Sequence, residues 1–221
     1  MDGFVDVFHF YKLIWSGFKL TISLAAMDLL LSTLIGALCA LVMTAAGKNM
    51  VLKVLKAAVR IYIELFRGSP LLLQIFFIYY GLGYVGVDMP LMGSCLLSLC
   101  MHHGAYVCEI LRSGIESVSK GQREAGLTLG LSRFQIMRRV ILPQAFKVFL
   151  PALVGYYIGA IKDTPLVSMV GLADMVKNGK IIMGHTNAPL QTYFVIAMIY
   201  FLICYPLSLY VRHLEAKRPA V

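Results

Sequence analysis

Long apolar stretches alternate with short, charge-rich ones along this chain. From Leu20 to Gly47 the sole charge is Asp28, and Gly68–Val87 and Met89–Cys108 carry none. Val148–Ile161 is a shorter uncharged stretch and Ile181–Val211 a longer one. A membrane helix needs about 20 mostly apolar residues. The pattern therefore predicts an all-α, polytopic membrane protein, a single domain over 1–221, with five spans at about 19–45, 67–86, 90–111, 146–164 and 190–211.

The segments between the spans set the expected orientation. Five Lys or Arg residues (Lys48, Lys53, Lys56, Arg60, Arg67) lie between the first and second spans, and seven (Arg112 to Lys147) between the third and fourth. The tail adds Arg212, Lys217 and Arg218, so fifteen of the 20 basic residues fall on one side and Lys12, Lys19, Lys162, Lys177 and Lys180 on the other. The positive-inside rule then places the N-terminus outside and the C-terminus in the cytoplasm. The first residues, MDGFVDVFHFYK, are acidic and lack the basic start of a cleavable signal peptide.

Residues 112–147 are too polar to cross a membrane, yet they carry helix punctuation. Ser119-Lys120-Gly121-Gln122 and Ser132-Arg133-Phe134-Gln135 both fit the capping box. The first predicts a helix to about Leu129, stopped at Gly130 by a left-handed cap. The second predicts another helix ending before Pro143. Ala125 and Gly126 give the first helix a low-relief face for a close-approaching partner.

Composition narrows the class. The chain has 221 residues, 59% hydrophobic and 14% charged, against about 45–50% and 25% in soluble domains. The mean hydropathy of +0.79 agrees. The net charge of +9 is flanking charge for topology, and no nucleic-acid partner is expected. Cys39, Cys95, Cys100, Cys108 and Cys204 sit in apolar runs, form no CxxC and are odd in number, which suits small hydrophobic side chains.

The stretch GQREAGLTLGLSRFQIMRRVILPQA resembles the cytoplasmic EAA loop of ABC-importer permeases. Glu124-Ala125-Gly126, Gly130, Val140 and Leu142-Pro143 stand at that pattern's spacings, with Gly126 replacing the usual second alanine. YIELFRGSPLLLQIFFIYYGL, AYVCEILRSGIESV and KDTPLVSMVGL are similar to blocks of the polar amino acid (histidine–glutamine–arginine) branch. Gly155 departs from that branch's asparagine and Pro165 from its serine. The resemblance implies a type I ABC importer permease fold in a bacterial inner membrane, with residues 112–145 as the coupling loop. Gln122, Glu124, Ala125, Gly126 and Gly130 would then form the ATPase-coupling surface.

No GxxxxGK[ST], HExxH or GxSxG occurs, so no bond chemistry, metal or cofactor is expected on this chain. ATP-Mg would bind a separate ATPase. The implied partners are a pair of ATP-binding subunits, a second permease subunit (identical or similar), an extracytoplasmic substrate-binding protein, the lipid bilayer and an amino acid substrate.

Ionisable residues inside spans point to function. Asp28 lies mid-span without a partner in sequence. His102 and His103, being adjacent, point to different helix faces and do not readily share one metal. Glu109 can pair locally with Arg112 or meet substrate; Arg67 opens the second span, with Ser69 and Pro70 suited to its cap and first turn, or snorkels to the interface. Val148–Ile161 is only about 21 Å of helix, and Pro165 disfavours a helical Thr164. Such breaks mark transporter binding sites. Arg67, Glu109, Lys162, Asp163 and Thr164 are thus the candidate substrate-path residues, Lys162 for a carboxylate and Asp163 for an ammonium. The bland alternative is a Lys162–Asp163 pair at the outer interface. The histidine-bearing helices also suggest a different class, a helical membrane-anchor subunit of a redox enzyme.

Overall fold

The computed structural model describes residues 2–47 and 49–216. Lys48, Lys217 and Arg218, three of the basic residues in the orientation argument, lie outside the described residues. The described chain is helical apart from short connections: α1 (Asp2–His9), α2 (Tyr11–Thr44), α3 (Met50–Arg67), α4 (Leu71–Tyr84), α5 (Leu91–Glu116), α6 (Lys120–Thr128), α7 (Arg133–Ile136), α8 (Leu142–Asp163), α9 (Met175–Thr186) and α10 (Pro189–Ala216). A π-helical turn, Met137–Ile141, joins α7 to α8, and a 3-10 helix, Thr164–Val170, continues α8. Four helical segments among the described residues are long and apolar enough to cross a membrane, and α3 with α4, bent by 107°, makes a fifth crossing if the pair is one span.

At the centre, α2 packs along α5. The buried face of α2 is Gly17, Thr21, Leu24, Ala25, Asp28, Ser32, Gly36 and Ala40; apart from Leu24 it is a stripe of small and polar residues every three or four positions. Small residues at this spacing let membrane helices approach closely, whereas Leu30, Leu34, Leu38 and Leu41 on other faces are exposed, as suits contact with lipid. The approach is tightest at Gly36, where a Cβ would stand 2.6 Å from Val107 Cγ1 and 2.8 Å from the Cys108 backbone nitrogen. Gly36→Ala is therefore expected to cost about 1–3 kcal/mol and lower the melting temperature in detergent. Gly83→Ala, with open space around it, should leave that temperature unchanged or raise it.

Apolar clusters fasten the other helices to this pair. Leu24, Leu71, Ile75, Leu99 and Val167 join α2, α4, α5 and the 3-10 helix; Ala25, Ile158, Ile161 and Cys204 join α2, α8 and α10. Ile115, Ile136, Ile141 and Ala145 hold the α6–α7 end of the bundle to α5 and α8.

Several expected boundaries shift. The span expected at 67–86 is only the second half of the bent pair, and α4 alone is 14 residues long. Its first half, α3, falls between the expected spans because Lys53, Lys56, Arg60, Glu64 and Arg67 interrupt the apolar pattern; these recur every three or four residues and so lie along one side of an amphipathic helix. The helix expected to end before Pro143 does not end. It widens into the π turn, which accommodates a residue with no backbone N–H and a ring crowding the preceding turn. Nor does the fourth span break at Pro165: Thr164 keeps helical angles (φ −55°, ψ −33°) and the chain tightens into the 3-10 helix. It stops at Gly171, whose φ of +99° favours glycine.

Candidate translocation site and coupling surface

The bend between α3 and α4 leaves carbonyls without helical partners, and one side chain satisfies them. Gln74 Nε2 donates to the Phe66 carbonyl (2.8 Å), the Ser69 carbonyl (3.0 Å) and Ser69 Oγ (2.8 Å), while its Oε1 meets His102 Nδ1 at 3.0 Å. His102 is thus a fastener between α5 and the bend. Pro70, not Ser69, occupies the N-cap of α4 and makes no side-chain cap bond; Ser69 Oγ instead donates back to Leu65 O at 2.8 Å.

Arg67 turns into the bundle from this bend. Its guanidinium lies 5.1 Å from the centroid of the Tyr106 ring and 3.4 Å from Glu109 Oε2. Glu109 also receives both arms of Arg112, at 3.0 and 2.8 Å, and Arg112 reaches Glu116 at 2.6 Å. Both the local Glu109–Arg112 pair and an Arg67 contact are therefore present. Two cations already hold the Glu109 carboxylate, so it has little free charge for a substrate. A cleft of about 200 Å³ beside it is lined by Arg60, Glu64, Arg67, Glu109 and Arg112.

The rings continue from here towards the end of α8. Tyr106 stacks on Tyr156 (5.3 Å, 19°), and Tyr156 meets His103 edge to face at 5.8 Å. His103 Nδ1 is 2.6 Å from Asp28 Oδ2, and its Nε2 is 3.5 Å from Asp163 Oδ2. Asp28 and His103 are fully buried, while the Asp163 side chain is 46% exposed. Sequence reading missed this Asp28–His103–Asp163 alignment. The available signal was the position of Asp28 on the small-residue stripe of α2, which required it to face protein.

The other expected substrate-path residues separate. Lys162 is exposed, and no salt bridge joins it to Asp163 among the described residues, so the Lys162–Asp163 pair is not formed. Thr164 is a correction: it is fully buried, donates from Oγ1 to Ile161 O (2.8 Å) and meets the Tyr200 hydroxyl (3.1 Å), so it joins helices and has no open face for a substrate. Gly155 is exposed, with no neighbour within 4 Å of a Cβ placed there. Beyond the 3-10 helix, Asp174 caps α9 by accepting from Lys177 N at 2.8 Å, and burial pushes its carboxyl up to about 6.

At the opposite end, α6 and α7 form a glycine elbow. Gly130 has φ +75°, Gly130 N donates to Leu127 O at 2.9 Å and Leu131 N to Gly126 O at 3.0 Å, satisfying the last carbonyls of α6. The Ser132 capping box is complete, with Gln135 N to Ser132 Oγ at 3.3 Å and Ser132 N to Gln135 Oε1 at 2.8 Å. The Ser119 box is not formed: Ser119 is the N-cap of α6 but makes no side-chain cap bond. Gly126 also differs from expectation. It is buried, and a Cβ there would be 2.8 Å from Ile136 Cγ1, so glycine serves the α6–α7 contact. The outward positions are Gln122, Glu124, Ala125 and Gly130, with Leu127, Leu129 and Phe134 exposed beside them.

Comparison with known proteins places this architecture. Residues 15–218 match the family described as binding-protein-dependent transport system inner membrane component. The L-cystine transport system permease protein TcyB of Bacillus subtilis is 36% identical over 95% of this chain and 87% of its own length. The glutamine transport system permease protein GlnP of Escherichia coli is 33% identical over 93% and 92%. Among solved structures, an amino acid ABC transporter with histidines superposes with a TM-score of 0.88 at 34% identity, covering 97% of this chain and 98% of that one. The MetNI methionine ABC transporter shares the fold at a TM-score of 0.70 and 16% identity. With a family match over nearly its whole length and relatives aligned over more than nine-tenths of it, this chain belongs to the inner membrane components of binding-protein-dependent transport systems.

Proposed function

We propose that this chain is the permease subunit of an ATP-driven importer of polar amino acids, with Asp163 receiving the substrate ammonium. One observation carries the site: Asp163 is a half-exposed carboxylate at the change from α to 3-10 helix, and its sole salt-bridge contact among the described residues is the 3.5 Å approach of His103. The relatives named for L-cystine and glutamine transport support the substrate class. Membrane interiors accept an ionisable group chiefly where it faces protein, water or cargo.

The outward face of α6, at Gln122, Glu124 and Ala125, is the docking surface for an ATPase of the ABC type. A second permease subunit, a pair of such ATPases and an extracytoplasmic binding protein complete the importer. ATP-driven closure of the motors pushes on the α6–α7 elbow, which Ile115, Ile136 and Ile141 lock to α5 and α8. The spans then move as rigid bodies between outward- and inward-open states. The redox-anchor alternative draws no support from the likenesses named above, which are to transport permeases and ABC transporters.

The lysine and arginine bias puts α6 in the cytoplasm and the N-terminus outside. Single cysteines at exposed Thr128 and Asp88, in a background with the five native cysteines replaced, test this. Maleimide should label the former only from the cytoplasm and the latter only from outside; the reverse would overturn the orientation. Co-purification with the ATPase tests the assignment itself, and a chain that inserts stably yet binds no ATPase would refute it.

A further inference from the structure

We infer that His103, anchored by Asp28, is a positioning residue that occupies Asp163 in the substrate-free carrier and competes there with the substrate's cationic group. The inference rests on the reading of Asp163 as the group that receives the substrate ammonium.

The geometry is asymmetric. His103 Nδ1 and Asp28 Oδ2 are 2.6 Å apart, a short charge-assisted contact with both side chains out of solvent. The other side of the ring is looser: Nε2 to Asp163 Oδ2 is 3.5 Å, an ion-pair separation too long for a good hydrogen bond. Both ring nitrogens face carboxylate oxygens, which only accept, so both sides favour a proton on the ring and hence an imidazolium. A buried carboxylate such as Asp28 needs a counter-charge of this kind.

The three groups come from three helices, α2, α5 and α8, and differ in freedom. Asp28 and His103 are sealed by packing, and Tyr156 closes one flank of the ring. Asp163 alone reaches the open face. An incoming ammonium therefore finds its carboxylate already facing a fixed cation and has to outcompete the weaker of that cation's two contacts. His103 thereby lowers the affinity of Asp163 for cations and keeps the carboxylate aimed while the site is empty. A carrier benefits from both, because cargo held too tightly at its membrane site is released slowly.

The test is equilibrium binding of radiolabelled L-arginine, a cationic probe, to the permease–ATPase complex in nanodiscs without binding protein. Asp28→Asn with His103→Gln removes the anchor charge and the imidazolium together while keeping hydrogen-bonding groups at both buried positions. That double variant should bind the probe about tenfold tighter than wild type. Asp163→Asn should bind it more weakly, and adding Asp163→Asn to the double variant should abolish the gain. A purely structural His103 would leave affinity unchanged or reduce it. Should the double variant fail to co-purify with the ATPase, Asp28→Asn with His103→Asn, which removes the same two charges with a smaller side chain at 103, is read for the same gain. Unchanged or weaker binding without the imidazolium, while Asp163→Asn still weakens binding, overturns the role of His103 and leaves the Asp163 reading standing. No effect of Asp163→Asn overturns both.

Discussion

Replacing Asp163 with asparagine is expected to cut ATP-driven amino acid uptake roughly tenfold to hundredfold. The change preserves shape and removes the charge, and a hydrogen bond between charged groups contributes about 1.5–3 kcal/mol where a neutral one contributes less. Affinity of the binding protein for its amino acid should not change, since that step occurs on another chain. Basal ATP hydrolysis should persist because the α6–α7 elbow is far along the bundle from Asp163. The structure also decides what a compensating change would do. Lys162 makes no salt bridge with Asp163 among the described residues, so adding Lys162→Gln should not rescue uptake. Full rescue by the double variant would return Asp163 to the role of a structural ion-pair partner.

The second large effect belongs to the coupling surface. Ala125 is exposed on α6, one residue before the buried Gly126. Ala125→Trp adds a bulky ring to the outward face without touching Ile136, so the permease should still insert and pair its helices. Uptake should fall more than about tenfold, the loss expected when a central interface position costs 2 kcal/mol or more. Gly126→Trp should fail differently: its ring must displace Ile136 and disrupt the α6–α7 pair itself, lowering thermal stability as well as uptake. Separate readouts of melting temperature and ATPase co-purification distinguish the two. Wild-type uptake by a stably inserted Ala125→Trp carrier would remove α6 as the docking surface.

How legible this was in the sequence depended on the range of the interaction. The elbow is written locally: Ser132 with Gln135 and the left-handed Gly130 are signals within four residues, and the structure has both. Ser119 with Gln122 has the same spelling, and Ser119 is the N-cap of α6, yet its side chain makes no cap bond, because a capping motif permits the bonds without compelling them. The charges of α3 were visible but hid a helix, since uncharged-gap counting discards an amphipathic element whose charges fall on one side. The continuation of α8 past Pro165 was missed because proline's restriction on the preceding residue is a preference, and the 3-10 helix meets it with Thr164 still helical.

At the site, the chemistry-bearing residues were visible and their partners were not. Asp163 and Glu109 stood out as carboxylates near spans, and the Glu109–Arg112 pair followed from helical spacing. The pairing of Asp28 with His103 joins residues 75 positions apart, and no local pattern encodes that contact. The small-residue stripe on α2 showed which face Asp28 occupies, and only the packing of α2 on α5 shows what it meets. Arg67 was visible as a span-opening charge, whereas its turn inward over Tyr106 depends on the bend that Gln74 secures.

The most direct test of the central claim is uptake in proteoliposomes containing this chain, its partner permease if distinct, its ATPase and its binding protein. With ATP available to the nucleotide-binding subunits and binding protein on the opposite side, a radiolabelled polar amino acid should accumulate against its gradient. Accumulation should vanish without ATP, without binding protein or without this chain. ATP-dependent accumulation that persists when this chain is omitted would contradict the account.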